Sequence, residues 1–368
     1  MGTAATDACP TMFSGSYDPE DVSILLKPTL ITPVAIEEKE RLIQSGARHY
    51  SEMLSSEAVP DQRYLTLYAE ALARNAGRLR SDISRLARMI ADRPATRREC
   101  VVVSLARAGT PIGVLLKREL ARIGIVAHHY SISIIRDRGI DLNALRFIAA
   151  RHGTTAAVFV DGWTGKGAIK RELMRSLADD DLGFAPFLAV VADPAGCAEA
   201  AATTDDYVIP SGLLNGIVSG LISRSVLRDD LVGPSDFHAC LYQTDHAAYD
   251  LSRAFIHDVE AAGPPLVDSG PWNTDLAAVA RGRSRALMEE LMNECAITDA
   301  NRIKPGIAEA TRAILRRVPD LLFVGDRADP EVRHLLHLAA KHDVPVRERD
   351  LHAYRAVTVI RGLGGGQE

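Results

Sequence analysis

The chain has 368 residues, 47% hydrophobic and 25% charged, with a formal net charge of −5. That composition fits a folded protein with more than one core, argues against disorder, and shows no whole-chain basic excess of the kind that advertises a nucleic-acid surface. Five widely spaced cysteines, Cys9, Cys100, Cys197, Cys240 and Cys295, argue against a disulfide framework or zinc knuckle and fit reduced thiols in a cytoplasm. No stretch reaches the ~20 apolar residues that cross a bilayer, and no secretory pattern opens the chain, so no membrane partner is expected.

Residues 1–12 are small and polar and read as a frayed leader. Helices are expected over 35–58 and 62–92. In the second, Leu65, Tyr68, Leu72, Leu79, Ile83, Leu86 and Ile90 recur on one helical face, and Pro94 ends it. The period then changes. Residues 101–105 form a short β-branched run and read as a buried strand, followed by a helix over 111–121 with Thr110 as N-cap and Pro111 in its first turn. A strand is expected over 123–135, a helix over 142–152, a strand over 156–160, a helix over 168–177, and strands over 187–192 and 207–209. Strands alternating with helices predict an α/β fold with a mostly parallel sheet covered on both faces. Breaker-rich residues within 261–275 mark a linker. A helix over 276–295 follows. Beyond it comes an αβαβ module with a helix over 307–318, a strand over 321–324, a helix over 330–342 and strands over 344–346 and 357–360. The expected organisation is a first domain over 13–260, the linker, and a small C-terminal αβα domain over 276–368 whose residues from about 296 fold on their own.

Two loops lie where strands of such a sheet deliver ligand-binding groups. The first, Ala106-Arg107-Ala108-Gly109-Thr110-Pro111, combines small residues, an Arg fork and a helix N-terminus, a set suited to an anion. The second runs from Asp161 through Gly162, Trp163, Thr164, Gly165, Lys166, Gly167 and Ala168. An acid at a strand end followed by Thr, Gly and Lys suits a phosphate on the backbone amides, with Asp161 on ribose hydroxyls or a hydrated Mg²⁺. It is not a Walker A loop, which is longer and ends in Ser or Thr. The plain alternatives are a turn with a surface Arg and a tight turn with an acidic cap.

These loops, in this order, resemble the pyrophosphate loop and the phosphoribosyl pyrophosphate (PRPP) loop of type I phosphoribosyltransferases. Phe13-Ser14-Gly15-Ser16-Tyr17, Ser133-Ile134-Ile135-Arg136, Ser219-Gly220-Leu221-Ile222-Ser223-Arg224, Asp236-Phe237-His238 and Lys304-Pro305-Gly306 widen the likeness over nearly the whole chain. It resembles the StiP-type family of tellurite-resistance and stress loci, in which a phosphoribosyltransferase-like domain is fused to a PELOTA (L7Ae-like) RNA-binding domain, and which is sometimes labelled a cysteine protease. The resemblance implies PRPP or a related ribonucleotide as ligand, Mg²⁺ as cofactor and RNA as a partner of the C-terminal domain; a homodimer stays open. Type I enzymes usually carry two adjacent acids where this chain has Asp161-Gly162, so Asp137 or Asp141 is the candidate for the second.

The catalytic set expected is therefore Asp161, Arg107 and Arg136, with Asp161 also the metal ligand. Ala108, Gly109 and Thr110 are expected to hold pyrophosphate, and Thr164, Gly165, Lys166, Gly167 and Ala168 the 5′-phosphate. Ser211, Asn215 and Ser219 offer amide and hydroxyl bonds to an acceptor base. Lys304, Gly306, Arg312 and Arg316 are expected to meet RNA phosphates, or to form a solvated basic face. His238, Cys240, His246 and Asp250 supply the types a Cys–His protease needs, but sequence proximity does not make them converge. The readings are a PRPP-using transferase with an appended RNA-binding domain, a non-catalytic nucleotide sensor, and a cysteine protease.

Overall fold

The computed structural model describes residues 13–266 and 272–362; the leader and part of the linker lie outside that range. The elements in chain order are β1 (Ser23–Leu25), β2 (Lys27–Pro28), α1 (Ile36–Gln44), α2 (Gln62–Ala91), β3 (Glu99–Ala106), α3 (Gly109–Arg122), β4 (Val126–Ile135), β5 (Gly139–Ile140), α4 (Leu142–His152), β6 (Ala157–Trp163), α5 (Ala168–Ala178), β7 (Leu188–Ala192), β8 (Ala200–Thr203), β9 (Ala239–Cys240) and α6 (Ser252–Ala261). A second group follows: α7 (Thr274–Glu294), β10 (Ile303–Pro305), α8 (Ile307–Arg316), β11 (Pro319–Val324), α9 (Arg333–Lys341), β12 (Val346–Glu348) and β13 (Ala356–Ile360).

The seven-stranded main sheet runs β1-β4-β3-β6-β7-β8, parallel throughout, with β5 added antiparallel to β4. Its strands alternate as the pleat demands. Val102, Val158, Val160 and Val191 meet α2, α3 and α6, while Val101, Val103, Phe159 and Val190 meet α4 and α5. From β3 the chain steps to β4 on one side and later to β6 on the other. The loops leaving β3 and β6 therefore face each other across the crevice at the carboxyl end of the sheet, where open α/β sheets bind ligands.

The second sheet has four strands in the order β10-β13-β11-β12. Phe323, Val357 and Val359 pack on Leu287 and Leu291 of α7. Its other face carries α8 and α9, which pack on the first unit. Ile307, Ile314, Leu335 and Leu338 belong to the same continuous core as Tyr64, Leu72 and Val208 of the first unit. Buried polar bonds cross the same boundary. Glu331 accepts from Asn75 Nδ2 and the Val208 N–H, and Arg74 pairs with it. Asp206 accepts from the N–H groups of Ile307 and Arg355, so a first-unit carboxylate caps the start of α8.

Other elements depart from the sequence reading for local reasons. Residues 46–58 leave the helix, with only a short 3-10 turn at Tyr50–Glu52. Residues 207–209 lie outside the sheet, and the edge strand is β8, whose Ala-rich run carries little β-branched signal. Helix α3 begins at Gly109, so Thr110 lies inside it and bonds to the Ser131 hydroxyl at 2.7 Å.

Candidate functional site

A chamber of about 310 Å³ lies between the carboxyl ends of β3 and β6 and the second unit. Its walls carry Lys39 of α1, Arg107, Arg136, Lys166, Lys170 and Arg224 from the first unit, and Lys304, Arg312, Arg316 and Arg317 from the second. Two carboxylates, Asp161 and Glu309, join these ten cations.

The β6–α5 loop forms one wall, with Thr164, Gly165, Lys166, Gly167 and Ala168 all lining the chamber. Gly167 turns the chain at φ +74° into α5, whose first N–H groups have no partner within the helix. The Thr164 hydroxyl, expected to face phosphate, instead donates to Asp193 Oδ1 at 2.5 Å, and Asp193 also takes the N–H groups of Cys197 and Ala198. The second unit pins this loop. Tyr354 Oη donates to the Gly165 carbonyl at 2.6 Å, and Lys166 Nζ reaches the carbonyls of Ala300 and Ile303. Any Cβ on Gly165 would stand 3.3 Å from the Pro305 carbonyl and 3.0 Å from Glu309 Cγ, so the absent side chain permits the approach.

Asp161 follows four buried residues of β6, and one of its oxygens accepts the Gly162 N–H at 2.8 Å. Burial, with Glu309 nearby, pushes its carboxyl up to about 7 despite Arg312 and that N–H. Trp163 lies under Arg312, whose guanidinium carbon is 4.6 Å from the ring centroid. Burial lowers Lys304 to about 7, helped by Lys166 and Arg317, and lowers Lys166 to about 8, helped by Arg136. Lys39 falls to about 8 through burial and then Arg224.

Several expected residues stand elsewhere. Arg107 is buried and its fork is closed on Glu57 and the Ile222 carbonyl, so it is no free pyrophosphate clamp. Against its own burial, Glu57 is held down to about 2 by Arg107 and Arg316. Ala108 lines the chamber, whereas Gly109 lets α3 press on β6: a Cβ there would fall 2.5 Å from the Val160 carbonyl. Arg136 does line it, spanning Asp137 and Asn301.

Neither candidate second acid is at hand. Asp141 is buried, capping α4 and taking the His238 N–H, and the Asp137 carboxylate is exposed on Arg136. Ser211 and Ser219 are buried outside the chamber, and Asn215 meets Arg316 rather than a base. Lys304, Arg312 and Arg316 line the chamber instead of an outer RNA surface, Lys304 from β10 and the two arginines from the inward edge of α8; Gly306, at φ +92°, lies beside Asp206.

Of the Cys–His candidates, Cys240 is wholly buried and its thiol is pushed up to about 12 by burial. His238 Nδ1 is 2.8 Å from the Ser133 hydroxyl. Burial raises the other described thiols too, Cys100 and Cys197 to about 12, and Cys295 in the same direction. Cys9 lies outside the described residues. The sequence reading passed over Lys39 and Glu57, which sit in a stretch patterned like any solvated helix and announce nothing on their own.

Residues 15–260 match the family described as "Tellurite-like stress resistance cysteine protease StiP". The chain is also 43% identical to the Acinetobacter baylyi protein called "Cysteine protease StiP", over 96% of each chain. The chain belongs to the StiP family. In this StiP-family chain residues 282–362 match the PELOTA RNA binding domain, which takes in every chamber residue of the second unit. Solved structures that align with it include hypoxanthine phosphoribosyltransferase from Trypanosoma cruzi with the product IMP, 13% identical, over 48% of this chain and 91% of that one at a TM-score of 0.26. The HGPRT-ase of Leishmania tarentolae with GMP, 15% identical, aligns over 40% and 80% at 0.23. Superpositions this loose say nothing of the site. No described helix is long and apolar enough to cross a membrane.

Proposed function

We propose that the chamber binds PRPP or a related ribonucleotide and that the chain is a cytoplasmic phosphoribosyltransferase-type enzyme. The observation that carries this is the placement of Asp161 at the end of β6, followed at once by an amide-lined loop, in a chamber walled by cations at the switch point of the sheet. The 5′-phosphate sits on the amides of residues 165–168, with Asp161 on the ribose hydroxyls. An acceptor nitrogen attacks the anomeric carbon; the new C–N bond forms as the C–O bond to pyrophosphate breaks, and the electron pair leaves on the pyrophosphate oxygen. Positioning and positive charge are what such a step asks of the protein.

Among the described residues lining the chamber, Asp161 alone offers a carboxylate for Mg²⁺, since Gly162 stands beside it and Glu309 is held by Arg312. This fits an ion that arrives on the ligand's phosphates with most of its water, not one held by a protein cage. Bound there, Mg²⁺ would neutralise part of the pyrophosphate.

The test is titration calorimetry with PRPP and ribonucleotides in Mg²⁺, together with an assay for pyrophosphate released in the presence of nitrogen bases. Absence of binding to all of them would sink the reading. Binding without turnover would leave a nucleotide sensor. The relative's printed name brings a peptidase into consideration, but thiols whose pKa values are raised, two of them fully buried, support it less than the chamber supports a phosphorylated ligand. The PELOTA match makes RNA a partner to test for the second unit.

A further inference from the structure

Of the chamber's ten cations, five meet carboxylates, Arg107 on Glu57, Arg136 on Asp137, Lys170 on Glu199, Arg312 on Glu309 and Arg317 on Glu40, whereas Lys39, Lys166, Arg224, Lys304 and Arg316 form no ion pair among the described residues. At the boundary between the units but outside the chamber, Arg74 meets Glu331 and Arg355 meets Asp205. Of the unpaired five, among the described residues, Lys39 reaches the Arg316 carbonyl, Lys166 two carbonyls, Arg224 the carbonyls of Tyr50, Met53 and Ser225, and Arg316 the Asn215 amide oxygen. Neutral oxygens orient these groups without cancelling their charge. Burial concentrates the field that results.

We infer that the second unit is the other jaw of the ligand site. Lys304, Arg312 and Arg316 bind phosphate groups of the same small molecule whose other end rests on the 164–168 loop. The inference deepens the phosphoribosyl reading and shares its loop. Its ligand class is a sugar or nucleotide carrying at least two phosphate groups. One phosphate on the loop leaves the α8 face unmatched, and a nucleic-acid duplex cannot enter a chamber of about 310 Å³. The tethers from Tyr354 and Lys166 hold the loop against β10, so ligand contacts on both sides are made together. The depressed Lys304 and Lys166 agree with such a site, since a bound anion would restore their charge.

The experiment uses the full chain. Lys304→Met and Arg312→Gln are made singly and together, with Arg312→Lys beside them, and calorimetry follows inorganic pyrophosphate and PRPP. The parent binds both. Each neutral change weakens binding about tenfold or more, as loss of a charge-assisted hydrogen bond does, while Arg312→Lys keeps most of it and melting curves stay within reach of the parent's. Variants that bind both anions like the parent overturn the jaw, even if Asp161→Asn weakens PRPP and so upholds the phosphoribosyl reading. Variants that lose pyrophosphate as expected, in a parent that holds PRPP no better than pyrophosphate, uphold the jaw and defeat the sugar reading. A parent blind to both anions at millimolar concentration overturns the jaw. So does RNA binding that needs Lys304 and Arg312 and ignores saturating pyrophosphate.

A different observation lies at the opposite end of the main sheet. Glu99 opens β3, His128 sits near the start of β4, and His152 ends α4. Glu99 Oε1 is 3.3 Å from His152 Nδ1 and 3.5 Å from His128 Nε2, and the three donor atoms all lie within 4.8 Å of one another. Those separations are long for hydrogen bonds and match the edges of a tetrahedron with arms of about 2.0–2.1 Å. The Tyr130 hydroxyl holds His152 Nε2 at 2.9 Å, which turns Nδ1 toward the carboxylate, as outer partners of metal-bound histidines do. We propose a zinc site with Glu99, His128 and His152 as ligands. Zn²⁺ titrated into the full chain should bind with a one-to-one stoichiometry and raise the melting temperature. His128→Ala and His152→Ala should each weaken it at least tenfold, and Tyr130→Phe less. Binding that survives both His changes, or none at 100-fold excess of metal, overturns the site.

Discussion

Replacing Glu57 by Gln probes how the chamber's positive charge is tolerated. The side chains of Glu57 and Arg107 are 11% and 3% exposed, and the pair is held further by the Gly216 N–H and the Ile222 carbonyl. Lowering the carboxyl from 4.5 to about 2 corresponds to about 3 kcal/mol of folded-state preference for the charged form, at 1.36 kcal/mol per unit. Breaking a buried pair by removing one partner costs a similar amount, about 3–5 kcal/mol. For a chain of 368 residues that is a fall of about 4 °C in thermal midpoint. The sign with pH follows from a depressed acid: the contribution is complete above 4.5 and is lost as pH falls from there through 2. The parent–variant gap should therefore be full at pH 7 and shrink by about half or more at pH 3. Adding Arg107→Met to Glu57→Gln should recover part of the loss. Melting curves at both pH values read all of this. A variant within 1 °C of the parent at pH 7, or a gap as wide at pH 3, would refute the reasoning.

Asp161→Asn should weaken PRPP roughly ten- to a hundredfold at pH 8 and converge on the parent below pH 6.5, because the carboxylate forms only above about 7; calorimetry across that range decides. The same change should raise the ligand-free melting temperature at pH 8, since an acid with a raised folded pKa loses stability as pH climbs through 7; an unchanged or lower midpoint would contradict it. Sulfate, which does not titrate between pH 6.5 and 9, should bind progressively more weakly over that range as Lys304, Lys166 and Lys39 lose their protons; a flat affinity would count against their role. Cys240→Ala should leave nucleotide binding unchanged, and native protein should react slowly with Ellman's reagent at Cys240; fast labelling there would revive the thiol nucleophile. Asp206→Ala should speed amide exchange at the start of α8 and cost about 1–2 kcal/mol as a lost cap; unaltered exchange at Ile307 would remove Asp206 from that role.

The main sheet was legible because its strands are continuous apolar runs and its helices keep a 3.6-residue period, both local properties. Asp161 and the loop after it were legible for the same reason: the chemistry lies in consecutive residues. Lys39 reaches the chamber, and Glu57 reaches Arg107 at its wall, from segments more than forty residues away, with nothing in their own neighbourhood to mark them. The basic edge of α8 was visible, but its direction was not. Which way Arg312 and Arg316 point is set by the apolar face of α8 meeting the first unit, a tertiary fact that overrides the look of a solvated cationic helix. Arg107 misled for a related reason, since a fork suited to phosphate suits the Glu57 carboxylate equally well.

The core shared across the two units has a consequence for synthesis. The first unit leaves the ribosome while the residues that complete it are still unmade. Until Glu331 is translated, Asn75 and the Val208 N–H lack their acceptor carboxylate, and the α2 surface that meets α9 stays uncovered. At about 5–20 residues per second, the stretch from the end of α6 to β13 takes roughly five to twenty seconds to emerge. For that interval the nascent chain exposes the apolar flank of α2, and the shared core closes only once α9 and β13 have emerged.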